Sequence, residues 1–327
     1  MKAASFDRFG PAADVLTVGE LPDPVPGPDE VLVEVHTSGV NPSDVKKRAG
    51  SSPGLLAGGF VIPHSDGAGR IVAVGGNVDR SRVGERVWVY QAQFERRFGS
   101  AAELLAIDSS RAPRLPEQAS YDVGACLGIP VMTAHRCVFA DGPVDGQRVL
   151  VTGGAGRVGY YAIQWASQAG AFVIATASNE EDAVACRDAG ADAVVNHREA
   201  GWGRSVLEAA GGEKVDRVID VEFGANLPEV LDCVRISGTI ATYASMQQPE
   251  PRLPFPRMLY MDLNIRIVIV YAMPETAKRA AIADIDAALS DDRLRHRVVA
   301  RFPLDDIAAA HQRIEAGVRG CVVVAVR

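Results

Sequence analysis

What the chain has little of narrows its function first. Only five cysteines occur in 327 residues, Cys126, Cys137, Cys186, Cys233 and Cys321, and no two form a C-x-x-C pair. A disulfide framework or a structural zinc site would cluster them. The scatter argues against both, and the thiols read as small buried hydrophobes of a reducing compartment. No apolar run reaches the ~20 residues needed to cross a bilayer. The opening MKAASFDRFGP puts Asp7 and Arg8 where a secretory leader needs an apolar core. A cytoplasmic, membrane-free protein is therefore expected. Positive charge is also in deficit: 34 Lys and Arg against 41 Asp and Glu give a net charge of -7, a field that repels polyanions. The one concentrated basic run, Arg293-Leu294-Arg295-His296-Arg297 with Arg301 nearby, lacks the aromatic stripe on which single-stranded nucleic acid stacks. Nucleic acid is not the expected partner. Internal repeats and low-complexity tracts are absent.

What is there is enough for a large core. A composition 47% hydrophobic and 23% charged is that of a folded globular chain, and its length suggests two domains. Early segments such as VLVEVHTSGV, VIPHSDGAGRIVAVG and GERVWVY read as strands between Pro- and Gly-rich turns. From about residue 120, helix-length stretches alternate with the β-branched runs VLVTGG, FVIATAS, AVVNH, VDRVIDVE and TIATYAS. Such alternation implies βαβ units and a parallel sheet. Further on, NIRIVIVY reads as a strand, ETAKRAAIADIDAALSDD as an amphipathic helix and CVVVAV as a terminal strand. The expected fold class is α/β: a doubly wound parallel sheet beside a mostly β domain. The expected boundaries are 1–120 for the β domain, 121–262 for the βαβ domain, and 263–327 for edge strands and a segment returning to complete the first domain.

Between a strand ending at Thr152 and a helix expected over Val158 to Ala169 lies Gly154-Ala155-Gly156-Arg157-Val158-Gly159. A lone G-x-G-x-x-G is weak evidence, but strand, turn, helix and second strand all follow at the lengths of a dinucleotide fingerprint. The first glycine is assigned the tight turn, the second the close approach of backbone to a pyrophosphate, and the third the packing of helix on strand. The helix N-terminus offers N–H groups to phosphate. NAD binders place an acid about 20 residues on, at the end of the second strand. Here Ala175, Thr176, Ala177 and Ser178 stand instead, so the run Thr176 to Asn179 favours a 2′-phosphate and NADPH. Glu180-Glu181-Asp182 beyond it reads as the acidic first turn of the next helix, and would otherwise repel that phosphate.

These motifs, with SGVNPSDVKKRAG, IPHSDGAGRIVAVGGNV, PVMTAHRCV, AGADAVVNHRE and VDRVIDVEFGANL, resemble the zinc-independent, zeta-crystallin-like quinone reductase branch of the medium-chain dehydrogenase/reductases over nearly the whole chain. The resemblance implies a GroES-like catalytic domain, a Rossmann domain, and NADPH-dependent reduction of quinones or other activated carbonyls with the nicotinamide in a cleft between the domains. It also implies a homodimer paired through the strand around Asn264 to Tyr271. Where zinc-dependent relatives carry a ligand Cys and a ligand His, this chain has Asn41 and Ser65, and no metal is expected.

Asn41 and Thr133 are the catalytic candidates: Asn41 to hydrogen-bond the nicotinamide ribose or the substrate oxygen, and Thr133, by the resemblance, to lie near the nicotinamide ribose. For Asn41 a turn cap before Pro42 competes, and for Thr133 a helix hydroxyl bonded to its own backbone. Asp44 is assigned to organising the Asn41 loop. Gly154, Ala155, Gly156, Arg157, Val158 and Gly159 are the expected cofactor cradle, joined by Ser178, His197 and Arg198 toward the adenosine end. Tyr243 and Ser245 end a strand at the same rim, where plain loop roles compete. The chain also departs from the family: Ser51-Ser52-Pro53 replaces a tyrosine, and Gly320-Cys321 stands where a glycine-lysine pair is usual. Reduction of the double bond of enones or enals, and a non-catalytic NADPH- or RNA-binding role, are the competing functions.

Overall fold

The computed structural model describes all residues, Met1–Arg327. The chain forms two compact units, one of residues 1–129 and 282–327, the other of residues 130–281. The divisions differ from those expected at 120 and 262, and the second falls inside the helix Glu275–Ser290.

The first unit contains β1 (Lys2–Ser5), β2 (Thr17–Glu20), β3 (Glu30–Val40), β4 (Asp66–Val74), β5 (Arg86–Val89) and β6 (Leu104–Asp108). β3 shows why the sequence alternates: Val31, Val33 and Val35 are fully buried while Glu30, Leu32 and Glu34 are only half-buried, as one face of a pleated strand requires. Toward its end, Ser38 to Val40 is buried on both faces, so polar side chains there are held in the interior.

The second unit is built on β7 (Arg148–Val151), β8 (Phe172–Ala177), β9 (Ala193–Asn196), β10 (Val215–Asp220), β11 (Val234–Thr242) and β12 (Asn264–Ile267). All are parallel, in the order β12-β11-β10-β7-β8-β9. This is the doubly wound dinucleotide topology, with its reversal of strand order between β7 and β10. β12 pairs with β11 through Thr239 and Asn264, which keeps residues 263–281 with this sheet. The apolar run NIRIVIVY is strand only to Ile267; a 3₁₀ turn, Val270–Ala272, follows. The core under one face gathers Leu150, Ile174, Val206, Val218, Leu227 and Val230.

The chain then returns as β13 (Val298–Pro303) and β14 (Cys321–Ala325). β14 runs antiparallel to β3, with Val322 opposite Val40, so the sheet of the first unit has the order β13-β14-β3-β4-β5 with β6 also on β3.

Candidate functional site

In the second unit, the turn after β7 is shaped by Gly153, which the motif omits. Gly153 has φ +60°, in the left-handed region, whereas Gly154, Gly156 and Gly159 do not. The tight turn assigned to Gly154 therefore belongs to its neighbour. Gly154 instead packs: a Cβ there would lie 2.8 Å from Cys186 Sγ and 2.9 Å from both Ala175 Cβ and Ile163 Cδ1. Gly159 is pressed on the Gly153 carbonyl, as close helix–strand packing requires, while a Cβ on Gly156 would meet only that carbonyl, at 3.0 Å. Gly156 is the N-cap of the helix Arg157–Gln168. Ala155 is buried, and Arg157 and Val158, half-buried, begin the first turn, whose N–H groups have no intrahelical acceptors.

The hydroxyl expected to favour a 2′-phosphate is used elsewhere. Thr176, 1% exposed, accepts the Gly153 N–H on Oγ1 at 3.0 Å and the Gly154 N–H on its carbonyl at 2.9 Å. It clamps the glycine turn rather than facing solvent. Asn179 caps the helix Glu180–Asp188 by accepting the Asp182 N–H, so Glu180-Glu181-Asp182 is indeed its acidic first turn. Ser178 is half-buried just past β8. His197 is half-buried and Arg198 exposed at the end of β9, where the Arg198 N–H is taken by Asn196 Oδ1 at 3.1 Å. Tyr243 is half-buried after β11, and burial pushes its phenol well above the usual range. Ser245 donates to the Gln248 carbonyl and accepts the Gly224 N–H, a staple closing the loop onto the helix Phe223–Cys233. Thr133, 5% exposed, lies in the helix Met132–Phe139.

Sequence reasoning missed Asp220 and Thr152 at the strand-order reversal. Thr152 donates to Asp220 Oδ1 at 2.6 Å, Asn226 Nδ2 donates to the same oxygen at 2.7 Å, and burial raises the carboxyl above its usual range. The available signal was an acid embedded in the apolar run VIDVE.

In the first unit, Asn41 is 2% exposed and caps the helix Pro42–Arg48 in a capping box with Asp44. Its backbone N–H donates to Asp44 Oδ2 at 2.9 Å, and its Nδ2 donates to Asp66 Oδ2 at 2.8 Å. The cap reading of Asn41 is thus realised together with a second bond. Asp44 organises the loop as expected; burial lifts its carboxyl to about 6 against the pull of Lys47. Lys47 donates to the carbonyl and the side-chain Oε1 of Gln93, and burial lowers its ammonium.

A buried chain of hydrogen bonds reaches Asp66 from behind. Ser100 Oγ donates to the Asp66 carbonyl at 2.5 Å, so Ser38 must donate to Ser100 and accept from His64 Nδ1–H. Neutral His64 then accepts on Nε2 from His311 Nε2–H at 2.9 Å. Burial keeps both rings neutral, His311 at about 3 and His64 well below its usual value. One carbonyl therefore fixes both tautomers. No group of three or more His, Cys, Asp or Glu side chains converges anywhere to hold a metal. An Asn41 amide already donating to Asp66, beside Ser65, is not a zinc ligand set.

No helix is long and apolar enough to cross a membrane. Residues 27–117 match the "Alcohol dehydrogenase GroES-like domain" family and residues 158–286 the "Zinc-binding dehydrogenase" family. Quinone oxidoreductases from Pongo abelii and from Pseudomonas aeruginosa are each 30% identical, over 97% and 96% of this chain and 94% and 96% of theirs. Among solved structures, a mycobacterial protein complexed with NADPH superimposes with a TM-score of 0.88 at 29% identity, covering 99% of this chain and all of that one. An NAD-dependent alcohol dehydrogenase reaches 0.87 at 27% identity over the full length of both chains. Similarity of this extent, in both sequence and fold, places the chain in the quinone oxidoreductase family of the medium-chain dehydrogenase/reductase superfamily.

Proposed function

We propose that the protein is an NADPH-dependent reductase that transfers hydride to quinones or related activated carbonyls without zinc. The observation that carries this is the glycine turn: Gly156 leaves the approach to the helix N-terminus open at the strand-order reversal of a doubly wound sheet. A resident dinucleotide fits these residues. Its pyrophosphate would be held by the N–H groups at the start of Arg157–Gln168. Ser178, His197 and Arg198 would face the adenosine end, with Arg198 supplying positive charge for a 2′-phosphate in place of the engaged Thr176. Tyr243 borders the rim, and Ser245 contributes the shape of its loop. When bound, the nicotinamide supplies the hydride.

The protein's own part is orientation and charge stabilisation. Asn41 and Thr133 are assigned to the ribose and the substrate oxygen, with Asn41 held in place by Asp44 and Asp66. A metal has no role in this scheme, because the site where zinc-dependent relatives bind it carries an amide and a hydroxyl.

Initial rates of NADPH and NADH oxidation, followed by absorbance with a panel of quinones and enones in the presence of chelator, test the proposal. Faster turnover with NADPH on quinones, undiminished by chelator, is expected. Turnover confined to enones would reassign the substrate. Loss of activity on chelation would overturn the metal-free mechanism, and tight NADPH binding without turnover would overturn the enzyme itself.

A further inference from the structure

Asp66 is fully buried, yet its carboxyl is used unevenly. Oδ2 accepts two N–H groups at 2.8 Å each, one from Asn41 Nδ2 and one from the Ile129 backbone. Oδ1 is buried and accepts none. Gly128 closes over that oxygen, since a Cβ there would collide with it. Ile129 and Gly128 belong to a five-residue π turn, Leu127–Val131, which contains Pro130 and runs directly into the helix that carries Thr133. Such turns interrupt regular helix bonding, so the Ile129 N–H needs a partner from outside, and Asp66 supplies it.

We propose that Asp66 is a positioning residue: through one carboxyl oxygen it ties the Asn41 side chain to the π turn and fixes the orientation in which Asn41 meets the bound ligand. This rests on the role given to Asn41 under Proposed function. With its Nδ2 held by Asp66, the Asn41 amide cannot flip, and its carbonyl faces away from Asp66.

The geometry also sets the charge of Asp66. An ionised carboxylate in a dry site needs donors on both oxygens, and here one oxygen has none. Burial of the whole group disfavours the charge, and with Oδ2 already accepting two N–H groups the proton of the neutral acid falls to Oδ1, beneath Gly128. The ionisable groups facing it are Asp44, Lys47, Cys126 and Cys321; of these, Asp44 and Cys321 push the carboxyl further toward its neutral form, and only Lys47 favours the charge. Asp66→Asn is then the isosteric replacement. Its amide oxygen can accept both N–H groups, with the NH₂ in place of the protonated oxygen.

The test is a double-mutant cycle on quinone reduction with Asp66→Ala, Asn41→Ala and the pair, alongside Asp66→Asn. Asp66→Ala is expected to lower kcat/KM about ten-fold, the scale of one lost hydrogen bond to a positioned group. It should have no further effect once Asn41 is alanine. Asp66→Asn should recover most of that loss. Infrared difference spectra of the wild-type protein against Asp66→Asn should show the C=O stretch of a protonated carboxyl at neutral pH. If Asp66→Ala does not fold, Asp66→Ser runs the same cycle. Losses that multiply in the pair, or a lowered thermal midpoint with unchanged kcat/KM, would overturn the positioning role. An Asp66→Asn variant as impaired as Asp66→Ala, or a missing carboxyl band, would overturn the neutral acid. If the wild-type protein reduces no quinone or enone at all, the failure lies in the proposed function instead.

Discussion

At the scale of single residues, the interior of the first unit moves the pH ranges over which its ionisable groups change charge. His311, with no exposed surface, is held at about 3, by burial first and by the nearby Arg48 charge second, against 6.5 in a solvated chain. A base whose folded value is lowered contributes nothing above pH 6.5. As pH falls from there toward 3, the unfolded chain gains a proton that the folded one refuses, and stability drops by up to about 1.4 kcal/mol per pH unit. Asp44, raised to about 6, works the other way: its contribution is complete below the unfolded 3.8 and is lost as pH rises through 3.8 to 6. His311→Gln can still donate an amide N–H to His64 Nε2 but cannot be protonated. Urea midpoints measured between pH 7 and 4 should therefore fall more steeply for the wild-type protein than for His311→Gln. Parallel curves would show that His311 is not the group refusing the proton. The shift of His311 was not legible from the sequence, because its partner His64 lies 247 residues away and the two rings meet only in the fold.

At the scale of elements, the strand–turn–helix–strand order around the glycines was readable because lengths and β-branched runs carry it. What could not be read was which glycine does what. The motif begins at Gly154, while the left-handed backbone lies one residue earlier, and backbone angles leave no mark on residue type. For the same reason the π turn at Leu127–Val131 and the early end of β12 were invisible: both depend on where N–H groups find partners, not on hydrophobic period. The glycines now have separable roles. Gly154→Ala forces a Cβ against Cys186, Ala175 and Ile163, so it should cost about 1–3 kcal/mol of stability through overpacking. Gly156→Ala has an ordinary negative φ and meets a single backbone carbonyl, at 3.0 Å, but it also replaces the helix N-cap by a poorer one, so it should cost less stability than Gly154→Ala while still lowering the midpoint. Its methyl group would stand where a pyrophosphate must approach, and NADPH affinity should fall about ten-fold or more, the worth of one or two phosphate contacts. Thermal melts and fluorescence titration of NADPH distinguish the two; equal affinity in Gly156→Ala and the wild-type protein would remove the cradle from the glycine turn.

At the scale of the whole molecule, the sheet of the second unit ends in β12, whose outer edge is unpaired, and exposed apolar side chains occur on it and in the segments just before and after it in the chain. Ile267 is 80% exposed and Tyr260, from the preceding helix Phe255–Tyr260, 85% exposed, with Phe255, Leu259 and Ile269 also open. An apolar edge of this kind invites pairing with another chain unless it is blunted by charge, proline or cover. Only Arg266 supplies charge along β12, and it is paired with the Asp141 carboxylate. A second copy meeting the first across a twofold axis would align β12 against β12, satisfying both edges with one self-complementary patch. We therefore expect a homodimer in solution. Light scattering coupled to size exclusion should give twice the chain mass for the wild-type protein. Ile267→Lys, which places a charge on the exposed edge without touching a buried contact, should give the monomer mass with the NADPH titration preserved. A wild-type protein of single-chain mass, or a dimer indifferent to Ile267→Lys, would leave this edge without the partner its exposed side chains call for.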